Sequence, residues 1–201
     1  MRKFDASNCK VMPWKNGGGI TTEIAIEPAD ATLDNFEWRI SSAQVATSGP
    51  FSHFPEIDRS LAVLEGSGLQ LRVDDAQQAT LTAASTPFVF RGEQGIEATL
   101  LDGPITDFNV MTRRTRWTHA LERLQFCGDT SLARRADQVF IYCARGADIA
   151  CSNALGQGIA LDAGDSVLVG STDGEQIQLS SASPADLYIA HLSLQEAKNA
   201  R

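Results

Sequence analysis

The feature that most constrains this chain is its punctuation. From residue 21 to residue 192 it is a succession of short apolar runs, partly alternating, each closed by Gly, Pro, Asp or Ser. TTEIAIEP, EWRISSAQV, SLAVLEG, LQLRV, QATLTA, PFVFRG, IEATLL and DFNVMT come first. QVFIYCARG, ADIACS, QGIALD, DSVLVG, EQIQLS and DLYIAHL follow. Strands stopped this often leave no room for the crossover helices of a parallel sheet, so the pattern predicts an all-β sandwich or barrel. Helical signal is confined to LQEAKNAR at the end and a turn around DTSLARRAD.

The two series of runs share one order of parts. In each, a strand ends at a Gly turn (Gly66 and Gly68; Gly146), a loop leads to an apolar strand pair, and a Pro-containing turn (Pro104; Pro184) feeds a last strand. Leu81 and Leu161, and Ala83 and Ala163, fall in register without gaps, with Phe88 opposite Val167. Two similar halves of roughly eighty residues suggest tandem β-barrels. The division expected is residues 1–112 for the first barrel and 113–201 for a connection and the second, the whole one compact unit closed by exchange of terminal strands.

Composition removes several classes of function. A net charge of −8 and the lack of any long basic run argue against nucleic acid or an anionic membrane as partner. The densest basic patch, RRTR at 113–116, reads as solvated surface. MRKFDASNCK lacks the apolar core of a secretory signal, and no apolar run reaches membrane-spanning length, so a cytoplasmic protein is expected. Cys9, Cys127, Cys143 and Cys151 form no CxxC pair and read as reduced, mostly buried thiols.

The chemistry must then sit on strands. His53, His119 and His191 are scattered, with no HxH pair, so neither a metal nor another cofactor is expected. WKNGGGITTE is no phosphate loop, since no Lys-Ser/Thr pair and no helix follow the glycines. Glycines 17–19 read instead as a close-approach wall, with Asn16, Gly18, Thr21, Thr22 and Glu23 at one mouth. In EWRISSAQV, alternation sets Arg39, Ser41 and Ala43 opposite Trp38, Ile40 and Ser42. In DFNVMT it sets Asp107, Asn109 and Met111 opposite Phe108 and Val110, while Arg59 shares a face with Leu61 and Val63. These polar groups either face solvent or line an interior, and in an interior each needs a partner. Such an interior would suit a small anionic or zwitterionic ligand.

WKNGGGITTE, then WRISSAQVATSGPFSHFPEIDRSLAVLEGSGLQL, then PFVFRGE and GPITDFNVMTRR together resemble the HutD/Ves family of bacterial proteins. The match runs in order through residues 12–114. The resemblance implies a bicupin fold, a link to histidine-utilisation operons, and a small-molecule pocket in the N-terminal barrel. One departure is Glu56 in FPEIDR, where a glycine is expected.

The ligand-binding set expected is therefore Asn16, Gly18, Thr21, Glu23, Arg39, Ser41, Arg59, Asp107 and Asn109, with no catalytic residue assigned. One reading is a regulatory protein that binds a carboxylated intermediate of histidine breakdown, such as urocanate, formiminoglutamate or formylglutamate. The alternative is a metal-independent enzyme on a small carboxylated substrate, with Glu23 or Asp107 as base and Arg39 or Arg59 as clamp. A dimerising scaffold is the third. Cupin barrels commonly associate through unpaired edges, which makes a homodimer the assembly to test.

Overall fold

The structure is a computed structural model that describes residues 1–74 and 77–195. The chain divides into two compact units: Lys10–Thr118, the first, and Met1–Cys9 with the stretch from His119 to Gln195, the second. In chain order the strands begin with β1 (Arg2–Phe4), in the second unit. The first unit holds β2 (Lys10–Pro13), β3 (Gly19–Glu27), β4 (Trp38–Val45), β5 (Gly49–Pro50) and β6 (Ile57–Glu65). It continues through β7 (Leu69–Val73), β8 (Gln77–Leu81), β9 (Phe88–Arg91), β10 (Ile96–Leu100) and β11 (Ile105–Arg113). Then come β12 (Trp117–Ala133), β13 (Gln138–Arg145), β14 (Ile149–Asn153), β15 (Gly158–Leu161), β16 (Ser166–Val169) and β17 (Gln176–Leu194). Among the described residues there is no α-helix, and no helix long and apolar enough to cross a membrane.

The first unit is built of two antiparallel sheets. One has the order β2-β3-β4-β11-β6-β9 and the other β5-β10-β7-β8. Their inward residues meet in one apolar cluster, with Leu61, Val63 and Ile105 from the larger sheet against Leu69, Leu71 and Ile96 from the smaller. Each such side chain contributes about 1.5–3 kcal/mol on burial. The turn from β6 to β7 needs Gly68: its φ is +106°, and a Cβ there would lie 2.2 Å from the Leu81 carbonyl oxygen. The opposite face of β4, β11 and β6, with Ile40, Phe108 and Ala62, is buried as well. Along these three strands the sheet is thus buried on both faces, polar positions included.

The second unit orders its strands β1-β16-β13-β17-β14-β15, with β12 also on β17. The two units pair their strands by one scheme. In the first, β6 takes β9 and β11 while β7 takes β8 and β10. In the second, β13 takes β16 and one half of β17 while β14 takes β15 and the other half.

Two local expectations are corrected. DTSLARRAD is no helical turn, because Asp129–Ala133 continue β12. Pairing with β17 holds the segment extended. EQIQLS and DLYIAHL, read as separate strands, are one strand, β17. Pro184 lies between Ser180, the end of the β14 ladder, and Asp186, the start of the β13 ladder. Its missing N–H therefore breaks neither of those ladders. The helical reading of LQEAKNAR lies largely outside the described residues.

The four cysteines are free: Cys143 and Cys151 are buried, Cys9 is half-buried and Cys127 exposed. Burial pushes the Cys143 thiol up to about 12 and the Cys151 thiol up to about 11.

Candidate functional site

Strand register decides which polar side chains share a face. On the large sheet of the first unit, Glu23, Ser41, Asn109 and Leu61 stand opposite one another on β3, β4, β11 and β6. The row on one side reads Thr21, Ala43, Asp107 and Val63; on the other side Arg39, Met111, Arg59 and Phe90 form the next row. All these side chains point into the unit, since residues two apart share a face. A register shift between Glu23 and Ala25 marks a bulge in β3 next to this wall. Thr22 alternates to the other face.

Burial is deep. Arg39, Arg59 and Asp107 are each 5% exposed, Ser41 4% and Asn109 8%. Glu23 and Thr21 are only half-buried, so the wall opens along β3. Arg39 is satisfied: its Nε donates to Glu23 Oε2 at 2.7 Å, and one terminal nitrogen donates to Ser41 Oγ at 3.3 Å. Glu23 is thereby neutralised in place.

Arg59 is held differently. One terminal nitrogen donates to the Ser52 carbonyl at 3.2 Å. Its guanidinium carbon lies 5.3, 5.6 and 4.8 Å from the ring centroids of Phe51, Phe54 and Phe90. Three rings around one cation favour the charged form and restrict its rotamers. Its Nε is buried and makes no hydrogen bond, and the same is true of Asn109 Oδ1. An unmatched buried polar atom costs about 1–3 kcal/mol, so both atoms are poised for a partner.

Asp107 completes the wall. Burial pushes its carboxyl up to about 7, against the opposing pull of Arg59 and the Ala43 amide. Burial also lowers Arg59 to about 10, with Asp107 working to raise it and Arg39 to lower it further. Loss of water therefore outweighs mutual attraction at both groups, as expected of charges that share a face without touching. Among the described residues Asp107 makes no ion pair.

Other members of the expected set sit elsewhere. Asn16 is exposed, and its Oδ1 accepts the Gly18 amide at 3.0 Å. Gly18 is buried, and the space a Cβ would take is filled by Thr47 Oγ1 at 2.6 Å. Thr21 shares the inward face, but its Oγ1 accepts the Trp14 indole N–H at 2.7 Å. The glycine wall is thus a hairpin end packed against its own strands: a Cβ on Gly19 would lie 2.5 Å from the Gln44 carbonyl oxygen and 3.0 Å from the Trp14 ring.

The sequence reading missed Phe51 and Phe54, although the F-x-x-F spacing in GPFSHFPEIDR just before Arg59 was the available signal. A surface depression of about 680 Å³ beside β9 is lined by Asp58, Asp74 and Glu93 among others. Its carboxylates are occupied: Arg114 holds Asp58 at 2.8 Å and Glu93 at 2.9 Å, and Asp74 accepts from Gln94 and Gly95. Among the described residues no group of three or more His, Cys, Asp or Glu is arranged to hold a metal ion.

The all-β fold of facing antiparallel sheets is cupin-like. The cupin 2 conserved barrel domain protein from Leptotrichia buccalis superposes with a TM-score of 0.57 at 8% identity over 92% of this chain and 96% of that one, a likeness of fold alone. Within that class the chain belongs to the HutD family, whose model matches residues 6–188. It is 38% identical over 133 residues to an uncharacterized 21.2 kDa protein in the hutC 3' region of Pseudomonas putida, covering 66% of this chain and 68% of that one. It is 43% identical over 114 residues to protein Ves of Escherichia fergusonii, over 56% of this chain and 58% of that one. Two solved structures align over almost the full length. The conserved protein of unknown function from Pseudomonas aeruginosa PAO1 has a TM-score of 0.88 at 36% identity, over 96% of this chain and 98% of that one. HutD from Pseudomonas fluorescens SBW25 has 0.79 at 29%, over 97% and 99%.

Proposed function

We propose that this is a small-molecule-binding regulatory protein whose first unit holds a carboxylated metabolite against the wall of β4, β11 and β6. The observation that carries the reading is Arg59: a buried cation, gripped by three phenylalanines, with an unmatched Nε, on a face whose next row carries an unmatched Asn109 Oδ1. A guanidinium edge of this kind meets a carboxylate with charge-assisted hydrogen bonds. The bicupin arrangement is part of the proposal, supported by the common pairing scheme of the two units. The names of the relatives point toward histidine utilisation, so urocanate, formiminoglutamate and formylglutamate are the ligands to try first. The working picture is a cytoplasmic homodimer with no nucleic acid, membrane or cofactor as partner.

A second reading, a metal-independent enzyme, has one observation in its favour. Glu23 is held by Arg39, whereas Asp107, at about 7, is matched to act as a base near neutral pH. Turnover separates the two: each compound is incubated with saturating protein and followed by NMR. Intact ligand supports the regulator, and steady conversion abolished by Asp107→Asn supports the enzyme.

Binding itself is tested by melting. At a hundredfold excess over Kd a ligand adds about 2.7 kcal/mol of stability, which raises Tm by roughly 5–10 °C. Arg59→Met removes the charge while keeping much of the volume, and is expected to weaken binding about tenfold to a hundredfold. Arg135→Met, far along the chain from the wall, leaves affinity unchanged. No shift with any carboxylate at millimolar concentration would end the proposal.

A further inference from the structure

The wall holds two cations and two carboxylates, but only one pair is joined. Glu23 and Arg39 meet at 2.7 Å and are neutral together. Arg59 and Asp107 balance each other across the face without contact: Asp107 opposes Val63 on β6, and Arg59 lies two inward positions further along that strand.

We infer that this face takes up a carboxylate ligand together with one proton, and that Asp107 is the group that receives the proton. The inference rests on the carboxylate-binding reading above. Its ground is charge balance at a buried surface. Among the described residues of this wall, a ligand carboxylate on Arg59 consumes the one cation not already paired with an acid. Two anions would then face one buried guanidinium, and an uncompensated buried charge costs several kcal/mol.

Among the described residues of the packed strands no other group relieves that imbalance, and His53, in the segment that grips Arg59, is exposed. From β3 the facing charge is the Glu23 carboxylate and from β4 the Arg39 guanidinium, already joined in one ion pair. From β9 the inward residue is Phe90, while Arg91 is exposed. The opposing small sheet contributes Leu69, Leu71 and Ala98, and its charged neighbours Arg72 and Glu97 are exposed. The proton therefore goes to Asp107. Once protonated, its carboxyl also gains an O–H that can donate to the bound carboxylate. Burial already brings this carboxyl to about 7, so the uptake falls in the neutral range.

The test uses the full chain labelled for carboxyl and arginine side-chain NMR, with glutarate as the probe. Arg59→Met and Asp107→Asn spectra assign the two signals. Glutarate is expected to move the Arg59 Nε–H resonance and to raise the Asp107 midpoint by about one unit, a tenfold gain in proton affinity. Affinity is then about fivefold higher near pH 6 than near pH 8, because the bound state carries the proton. Calorimetry of wild type in two buffers of different ionisation enthalpy reads the same proton uptake without any variant. If the Arg59 signal responds while the Asp107 midpoint stays or falls and no proton is taken up, the inference is overturned and carboxylate binding stands. If glutarate leaves the Arg59 signal unmoved, both fall.

Discussion

At the scale of single residues, Asp107 makes the sharpest claim. Its carboxyl sits at about 7 in the folded chain against an ordinary 3.8. Between those values the folded state keeps a proton that the unfolded chain has released, so stability falls as pH rises from about 4 to about 7 and levels off above. The effect is on the order of 4 kcal/mol, opposite in sign to that of a salt-bridged acid. Glu93, held low by hydrogen bonds from Arg114, contributes below that window instead. Urea unfolding at several pH values is expected to show the decline in wild type and to lose it in Asp107→Asn. Glu56 makes a smaller claim. It occupies the left-handed region at φ 64°, where a glycine was expected from the sequence. Its side chain is exposed and only 3.8 Å from Arg113, a pair that contributes little. Glu56→Gly is expected to raise stability by about 0.5–1 kcal/mol, seen as a higher Tm.

At the scale of elements, the hairpin of β2 and β3 is what the triple glycine serves. Trp14 donates to Thr21 and its ring covers Gly19, whose amide neighbourhood has no room for a methyl group. Gly19→Ala is expected to cost about 2–3 kcal/mol, because the nearest obstacle is backbone that cannot step aside. Gly49→Ala, with nothing within 4 Å of the added carbon, is the control and should melt at or slightly above wild type. A neutral Gly19→Ala would mean the hairpin end is looser than its packing implies.

At the scale of the whole molecule, each unit has its own core, and the second draws its first strand from the far end of the chain. β1 pairs with β16, Lys3 reaches Asp165 at 2.8 Å, and Phe4 packs on Phe140 at 5.5 Å between centroids. All three tryptophans lie in the first unit and both tyrosines in the second, so the units carry separate fluorescence reporters. Phe4→Ala is expected to lower the tyrosine-reported transition by about 1–2 kcal/mol and to leave the tryptophan-reported one higher. Equal losses would mean that the two units unfold as one.

Strand content and the one-sidedness of the polar residues were legible from residue order. The reason is that turn chemistry and the two-residue period are local properties of a chain. Arg39, Ser41, Arg59, Asp107 and Asn109 could thus be named as one-sided without any structure. What residue order left open was whether that side meets water, and which charges touch. β12 was invisible because its extension comes from its partner β17. Glu23 paired with Arg39, Arg59 caged by three rings and Asp107 left without an ion pair depend on register between strands far apart in sequence. Burial and contact are set by those long-range neighbours, and only the tertiary structure decides them.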